Sequence, residues 1–136
     1  MEKSYVDRAQ EYHESGYNCA QSVACAFLPI LSIDEPTLFS VMEGFGAGMG
    51  GMEATCGALS GAVAVASLLT SSGSVENLTK VRTYELSKEL VSLFQEKNHS
   101  LVCKELRGIE SGIPLRSCPL CIEDAVLLVQ QVLHLE

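Results

Sequence analysis

Six cysteines stand at positions 19, 25, 56, 103, 118 and 121 of a 136-residue chain. They are the residues here best equipped for chemistry, since a thiolate is both a nucleophile and a metal ligand. Cys118-Pro119-Leu120-Cys121 is a C-x-x-C. At a helix start such a pair can work as a dithiol couple, the first thiol acidified and the second near enough to resolve a mixed disulfide; the same spacing offers two ligands to one metal. Cys19 and Cys103 fall in the first turns of predicted helices, behind Asn18 and Ser100 as caps, where backbone N–H groups and the helix dipole favour a thiolate. Cys56 follows glycines at 44, 46, 48, 50 and 51 and precedes Gly57. The bare backbone at Gly48, Gly50, Gly51 and Gly57 can bring N–H groups close to a cofactor held by the thiols. Cys25, six residues past Cys19 among alanines and Phe27, reads as a core residue. His13, His99 and His134 read as surface or cap residues, with His99, four before Cys103, available to complete a zinc site.

The elements that must position these thiols are helices. Tyr5, Val6, Ala9 and Tyr12 recur at helical spacing through Glu14, and Gly16 stops the run. Asn18 caps a helix from Cys19 through Phe27 that ends near Pro29. Asp34-Glu35-Pro36 opens a short helix through Met42. Residues 54–69 carry no charge, and Gly57, Gly61, Ala58, Ala62 and Ala66 lie on adjoining helical rows, which predicts a buried, closely packed central helix around Cys56. Beyond the loop Thr70 to Ser74, an amphipathic helix from Ser74 or Asn77 to about Lys97 presents Leu86, Leu90, Leu93 and Phe94 on one face. Ser100 caps Leu101 to Arg107, which Gly108 ends. Cys118 caps a final apolar helix with Pro119 at its first position. Strand alternation is absent, so the fold class expected is all-α: a single compact domain, 1–136, of about five to seven helices around the small-residue helix.

Composition narrows the function. Nine Lys and Arg against seventeen Asp and Glu give a net charge of -8, which argues against nucleic acid or an anionic membrane surface as partner. Gly46-Ala47-Gly48-Met49-Gly50-Gly51 fits the dinucleotide pattern G-x-G-x-x-G, but neither a preceding strand nor an acidic residue about 20 positions on accompanies it, so no NAD is expected. No Gly-Lys-Ser/Thr follows for a phosphate loop. Glu53 and the polar run from Thr70 leave too few apolar residues for a membrane span, which needs about 20. The start, Met1-Glu2-Lys3-Ser4-Tyr5-Val6-Asp7-Arg8, shows no signal core, so a cytoplasmic location is the expectation. There, clustered cysteines are more often metal-binding or redox-active than structural disulfides. Ile122 follows Cys121, so C-x-x-C-H and covalent haem are not expected. Neither a Ser-His-Asp arrangement nor H-E-x-x-H supports hydrolysis.

Taken in order, Asn18-Cys19-Ala20-Gln21-Ser22-Val23, Cys56-Gly57-Ala58-Leu59-Ser60-Gly61, Cys103-Lys104-Glu105-Leu106-Arg107-Gly108, and Cys118-Pro119 ahead of Asp124-Ala125 make the chain similar to the redox-active proteins labelled C_GCAxxG_C_C. The resemblance spans nearly the whole length. It implies that Cys19, Cys56, Cys103 and Cys118 are the family's four cysteines, and that their chemistry is redox; Cys25 and Cys121 have no counterpart in the pattern. A related domain in a cytochrome family that carries an iron–sulfur centre points to a cluster.

Two functions follow, with a purely structural helical domain as the third reading. In one, Cys19, Cys56, Cys103 and Cys118 are thiolate ligands of a [2Fe–2S] cluster, or of zinc, in electron transfer or sensing. In the other, a cofactor-free thiol–disulfide oxidoreductase or sensor uses Cys118 with Cys121, or Cys56 with Cys103, against a redox partner protein or a small thiol. Neither depends on the chain being an enzyme. Small-residue packing and an apolar final helix also predict a homodimer.

Overall fold

The structure, a computed structural model, describes residues 3–136; Met1 and Glu2, part of the start inspected for a signal sequence, lie outside it. The capping signals are realised as hydrogen bonds. The Ser4 hydroxyl accepts from the Asp7 N–H at 3.0 Å, and α1 runs Tyr5–Glu14. At Asn18 the cap is reciprocal: its side chain accepts from the Gln21 N–H and the Gln21 side chain accepts from the Asn18 N–H, both at 2.9 Å. Two otherwise orphaned donors are thereby satisfied at the start of α2, Cys19–Cys25. Asp34 accepts from the Thr37 N–H at 3.1 Å and opens α3, Glu35–Met42, with Pro36 in its first turn. The remaining helices are α4, Gly57–Thr70, α5, Lys80–Asn98, α6, Cys103–Arg107, and α7, Cys118–Val132. Single 3-10 turns at Leu28–Ile30 and Glu43–Phe45 complete the path. Among the described residues the only β-type pairing is one antiparallel bridge, Thr55 to Val102. The protein is all-α.

Four boundaries differ from the sequence reading, each for a local reason. α2 stops at Cys25 rather than Phe27, because the chain tightens into the 3-10 turn that holds Pro29. α5 begins at Lys80: the Ser72 hydroxyl bonds the carbonyls of Ser74 and Asn77, and the Ser72 N–H reaches the Thr79 hydroxyl at 3.2 Å, so residues 72–79 are held as loop. In α7 the cap is Ser117, whose side chain accepts from the Leu120 N–H; Cys118 becomes the first helical residue and Pro119 the second. α6 begins at Cys103 rather than Leu101, and its cap is Val102 with no side-chain bond; Ser100 instead holds the turn before it, accepting from the Val102 N–H at 3.0 Å and bonding the Glu105 carboxylate.

α4 occupies the centre and touches α2, α5 and α7, while α1 packs across α2 and α7. Its Ala58, Ala62, Val65 and Ala66 are wholly buried. Around it lie Phe27, Leu38, Leu90, Phe94, Ile122, Val126 and Val129, and Tyr5 stacks on Phe27 at 4.5 Å between ring centroids. The closest crossing is α2 on α4. A Cβ on Gly61 would stand 2.7 Å from the Ala20 carbonyl oxygen and 3.0 Å from the Val23 Cβ; one on Gly57 would stand 3.0 Å from the Phe45 oxygen. Gly57 and Gly61 of α4 are thus used inside the chain, in its crossing with α2. Asp124, 1% exposed, is gripped by Arg116 through two bonds of 2.9 and 3.0 Å and by Lys97 at 2.9 Å. This ties the loop before α7 to α5. No helix among the described residues is long and apolar enough to cross a membrane.

Between α3 and α4 the backbone turns left-handed over consecutive residues, Ala47 at φ 51°, Gly48 at 56°, Met49 at 62° and Gly50 at 91°. For an L-residue this conformation costs roughly 1–2 kcal/mol. Ala47→Gly is therefore expected to raise stability by about 0.5–1 kcal/mol in urea denaturation, the relief being partly offset by the greater freedom of the unfolded chain. Gly61→Ala is expected to destabilise by about 1–3 kcal/mol in the same assay despite alanine's better helix propensity, because the added methyl meets backbone rather than a yielding side chain. An unchanged midpoint for Gly61→Ala would contradict the crossing described.

Candidate functional site

Five of the six thiols meet. Cys19, Cys56, Cys103, Cys118 and Cys121 line a single cavity of about 260 Å³, together with His13, Asn18, Ala47, Gly57, Leu106, Arg107 and Arg116. Each arrives by a separate piece of local structure. Cys19 and Cys118 are the first residues of α2 and α7, Cys56 is the residue before α4, and Cys103 begins α6. A short two-stranded clasp aligns two of them: the Cys56 N–H donates to the Leu101 carbonyl at 2.7 Å and the Cys103 N–H to the Ala54 carbonyl at 2.9 Å. Cys25 lies apart, fully buried in the core, where burial, helped by Glu35, pushes its thiol up to about 11.

Within the cavity the sulfurs associate two by two. Cys19 and Cys118 shift one another's acidity, as do Cys56 and Cys121, and the Cys121 sulfur also faces the Arg116 carbonyl at 3.9 Å. In each pair one thiol keeps its proton and the other is the favoured thiolate. Cys118 is lowered to about 6, first by the bond it accepts from Cys19, then by the positive charge of Arg107 and of His13. Cys56 is lowered by the bond from Cys121 and by the N–H groups of Ala58 and Leu59 in the first turn of α4. Cys19 and Cys121, the donors, are raised, by these same bonds and by burial. Placement at a helix start therefore does not make Cys19 the more acidic thiol, because its role as donor to Cys118 outweighs the dipole. Cys103 is raised by burial and by nearby Cys56, with Arg107 opposing.

The glycines divide. Gly57 borders the cavity. Gly48 lies beneath Cys103: a Cβ there would be 2.5 Å from the Cys103 Cβ, and its φ is +56°. It permits close packing of the thiol segment. Gly50 and Gly51 are exposed, have open space where a Cβ would stand, and do not border the cavity. His99 is exposed at the end of α5 and away from the thiols, whereas His13, read as a surface residue, is half-buried on the cavity wall. The two arginines are additions that sequence reasoning missed. Arg107 ends α6 with one nitrogen 3.3 Å from the Met52 sulfur; Arg116 is fixed by Asp124, and its carbonyl stands 3.9 Å from the Cys121 sulfur. The Cys-x-x-x-Arg spacing of α6, one helical turn, is the signal that would have found Arg107.

Two pairs of sulfurs and a lone fifth can donate electrons, form disulfides, or take up a soft metal. As placed, the described residues include no group of three or more His, Cys, Asp or Glu side chains set to hold a metal ion. Compared with known proteins, the chain matches at residues 17–132 the family described as "Putative redox-active protein (C_GCAxxG_C_C)". No curated protein and no solved structure matches it. The matched span covers all six cysteines and every helix after the first, and the chain belongs to the C_GCAxxG_C_C family.

Proposed function

We propose that the protein is a cofactor-free thiol–disulfide redox protein whose working couple is Cys19 and Cys118. The observation that carries this is that Cys19 and Cys118 are the two half-buried thiols on the wall of the shared cavity, the other three that line it being buried, although almost the whole length of the chain separates them in sequence. The Cys118 thiolate attacks one sulfur of a disulfide on a partner protein or small molecule, forming a mixed disulfide and releasing the other sulfur as a thiolate. Cys19, giving up its proton, then attacks the Cys118 sulfur; the Cys19–Cys118 bond forms and the second substrate sulfur leaves. Two electrons pass to the substrate. Arg107 supports the Cys118 thiolate, and apolar neighbours such as Leu106 limit water in the cavity.

A second reading retains Cys19, Cys56, Cys103 and Cys118 as thiolate ligands of a [2Fe–2S] cluster or zinc, and the convergence of these four on one cavity favours it. The pairwise arrangement weighs against it, since ligation would require the side chains to turn toward a common centre. Iron, zinc and sulfide analysis of anaerobically purified protein, with its visible spectrum, separates the two. Self-association as a homodimer uses the exposed apolar side chains Val41, Phe45 and Met49 near the left-handed turn.

Oxidised glutathione added to the reduced protein is expected to yield a Cys19–Cys118 disulfide on peptide mapping. Absence of this bond while other cysteines are oxidised would refute the assignment. Alkylation gives the pH test. With its pKa lowered to about 6, the thiolate of Cys118 is present above that pH and lost below it, so its rate with iodoacetamide should plateau near pH 7 and fall about tenfold per unit below 6. Removing a nearby positive charge should shift the midpoint upward, as expected for Arg107→Gln. A midpoint near 8.5 in the parent protein, the value of an ordinary thiol, would contradict this account.

A further inference from the structure

Cys121 has no counterpart in the family's cysteine pattern and is buried, 2% exposed, yet it borders the same cavity as Cys118 and lies one helical turn beyond it on α7. It shares the cavity wall with Cys56, itself buried, and the two thiols shift one another's acidity, Cys56 down and Cys121 up. A large disulfide substrate that reaches the half-buried outer pair has no comparable approach to this inner one. We infer that Cys56 and Cys121 form a second, inner redox couple that exchanges electrons with the outer couple through a transient Cys118–Cys121 disulfide. The inference rests on the Cys19–Cys118 couple proposed above.

The steps balance without another reagent. With the outer pair oxidised, Cys121, giving up its proton, attacks the Cys118 sulfur; the Cys118–Cys121 bond forms and Cys19 leaves as a thiolate that takes up a proton. The Cys56 thiolate then attacks the Cys121 sulfur, making Cys56–Cys121 and releasing Cys118. Two electrons have moved from the inner pair to the outer disulfide, and the one proton lost by Cys121 is matched by the one Cys19 takes up. Helix geometry suits the intermediate to be fleeting. Residues three apart on a helix hold their Cβ atoms about 5–6 Å apart, whereas a disulfide favours about 3.8 Å, so Cys118–Cys121 is strained and readily opened. The C-x-x-C is then the conduit between two couples rather than the resting couple. Refilling the outer pair lets one chain deliver four electrons.

The test follows each cysteine separately. Reduced protein is mixed with excess oxidised glutathione, quenched with acid at intervals, alkylated and mapped by mass spectrometry. Four thiols are expected to disappear in two phases, Cys19 and Cys118 before Cys56 and Cys121, with Cys25 remaining free. In Cys118→Ser, oxidation of Cys56 and Cys121 should slow at least tenfold; in the double variant Cys19→Ser with Cys56→Ser, where neither couple can close, the Cys118–Cys121 disulfide should be trapped. Far-ultraviolet circular dichroism establishes that both variants are folded. Loss of only Cys19 and Cys118 from the parent protein overturns the relay and leaves the outer couple standing, as does oxidation of the inner pair at the parent rate in Cys118→Ser. Failure of Cys19–Cys118 to form at all refutes both.

Discussion

Two helix backbones cross where Gly57 and Gly61 leave no side chain between α4 and the first turns of α2, and the carbonyl of Ala20 lies where a methyl on Gly61 would have to go. This closeness determines much else. Because α2 begins at Cys19 and the residue before α4 is Cys56, bringing the helices together near their N-terminal ends brings two thiols together at the same time. Packing is dominated by apolar burial and close van der Waals contact, so the cysteine site is assembled by the same interaction that forms the core. A bulkier residue at the crossing would part the sulfurs before it unfolded the protein.

The other half of the site depends on charge. Asp124 is buried with its carboxylate divided between Arg116 and Lys97. Burial opposes its ionisation, but the two cations prevail and keep its carboxyl below the usual range. Arg116 immediately precedes Ser117, the cap of α7, so this grip sets where the last helix begins and where Cys118 and Cys121 point. In a chain of net charge -8, Arg107 and His13 on the cavity wall lower Cys118 against the overall sign, whereas the charge of Arg116 is shared with Asp124.

Helix content was legible because its determinants are local. Ser4, Asn18 and Asp34 lie directly before the helices they cap, and Pro36 and Gly108 stand where helix chemistry places them. The small-residue rows of α4 likewise foretold its central place. Errors arose where two polar residues competed for one role: Ser117 and Cys118 were both available to cap α7, and the hydroxyls of Ser72 and Thr79 hold as loop what periodicity alone would have made helix. The convergence of four family cysteines could be anticipated from their places at helix starts, but which sulfur meets which could not. Sequence spacing does not reveal that Cys121 faces Cys56, because that depends on how α7 is rotated against α4. Nor does it reveal that His13 and Arg107, more than ninety residues apart, lie on the same wall.

The sulfur pairs join distant parts of the chain in interleaved order, since Cys56 lies inside the span from Cys19 to Cys118 and Cys121 lies outside it. A covalent link closing a loop of roughly a hundred residues removes unfolded-state entropy worth about 4–5 kcal/mol. Folding and oxidation are then linked: the native fold favours the bonded state of Cys19 and Cys118 over the same thiols in a loose chain by that amount, or about 100 mV for a two-electron couple. The fold would thus act as a reservoir of reducing power, and heat or a mutation that loosened it would change the potential at which the protein gives up electrons before any sulfur had moved far from its partner.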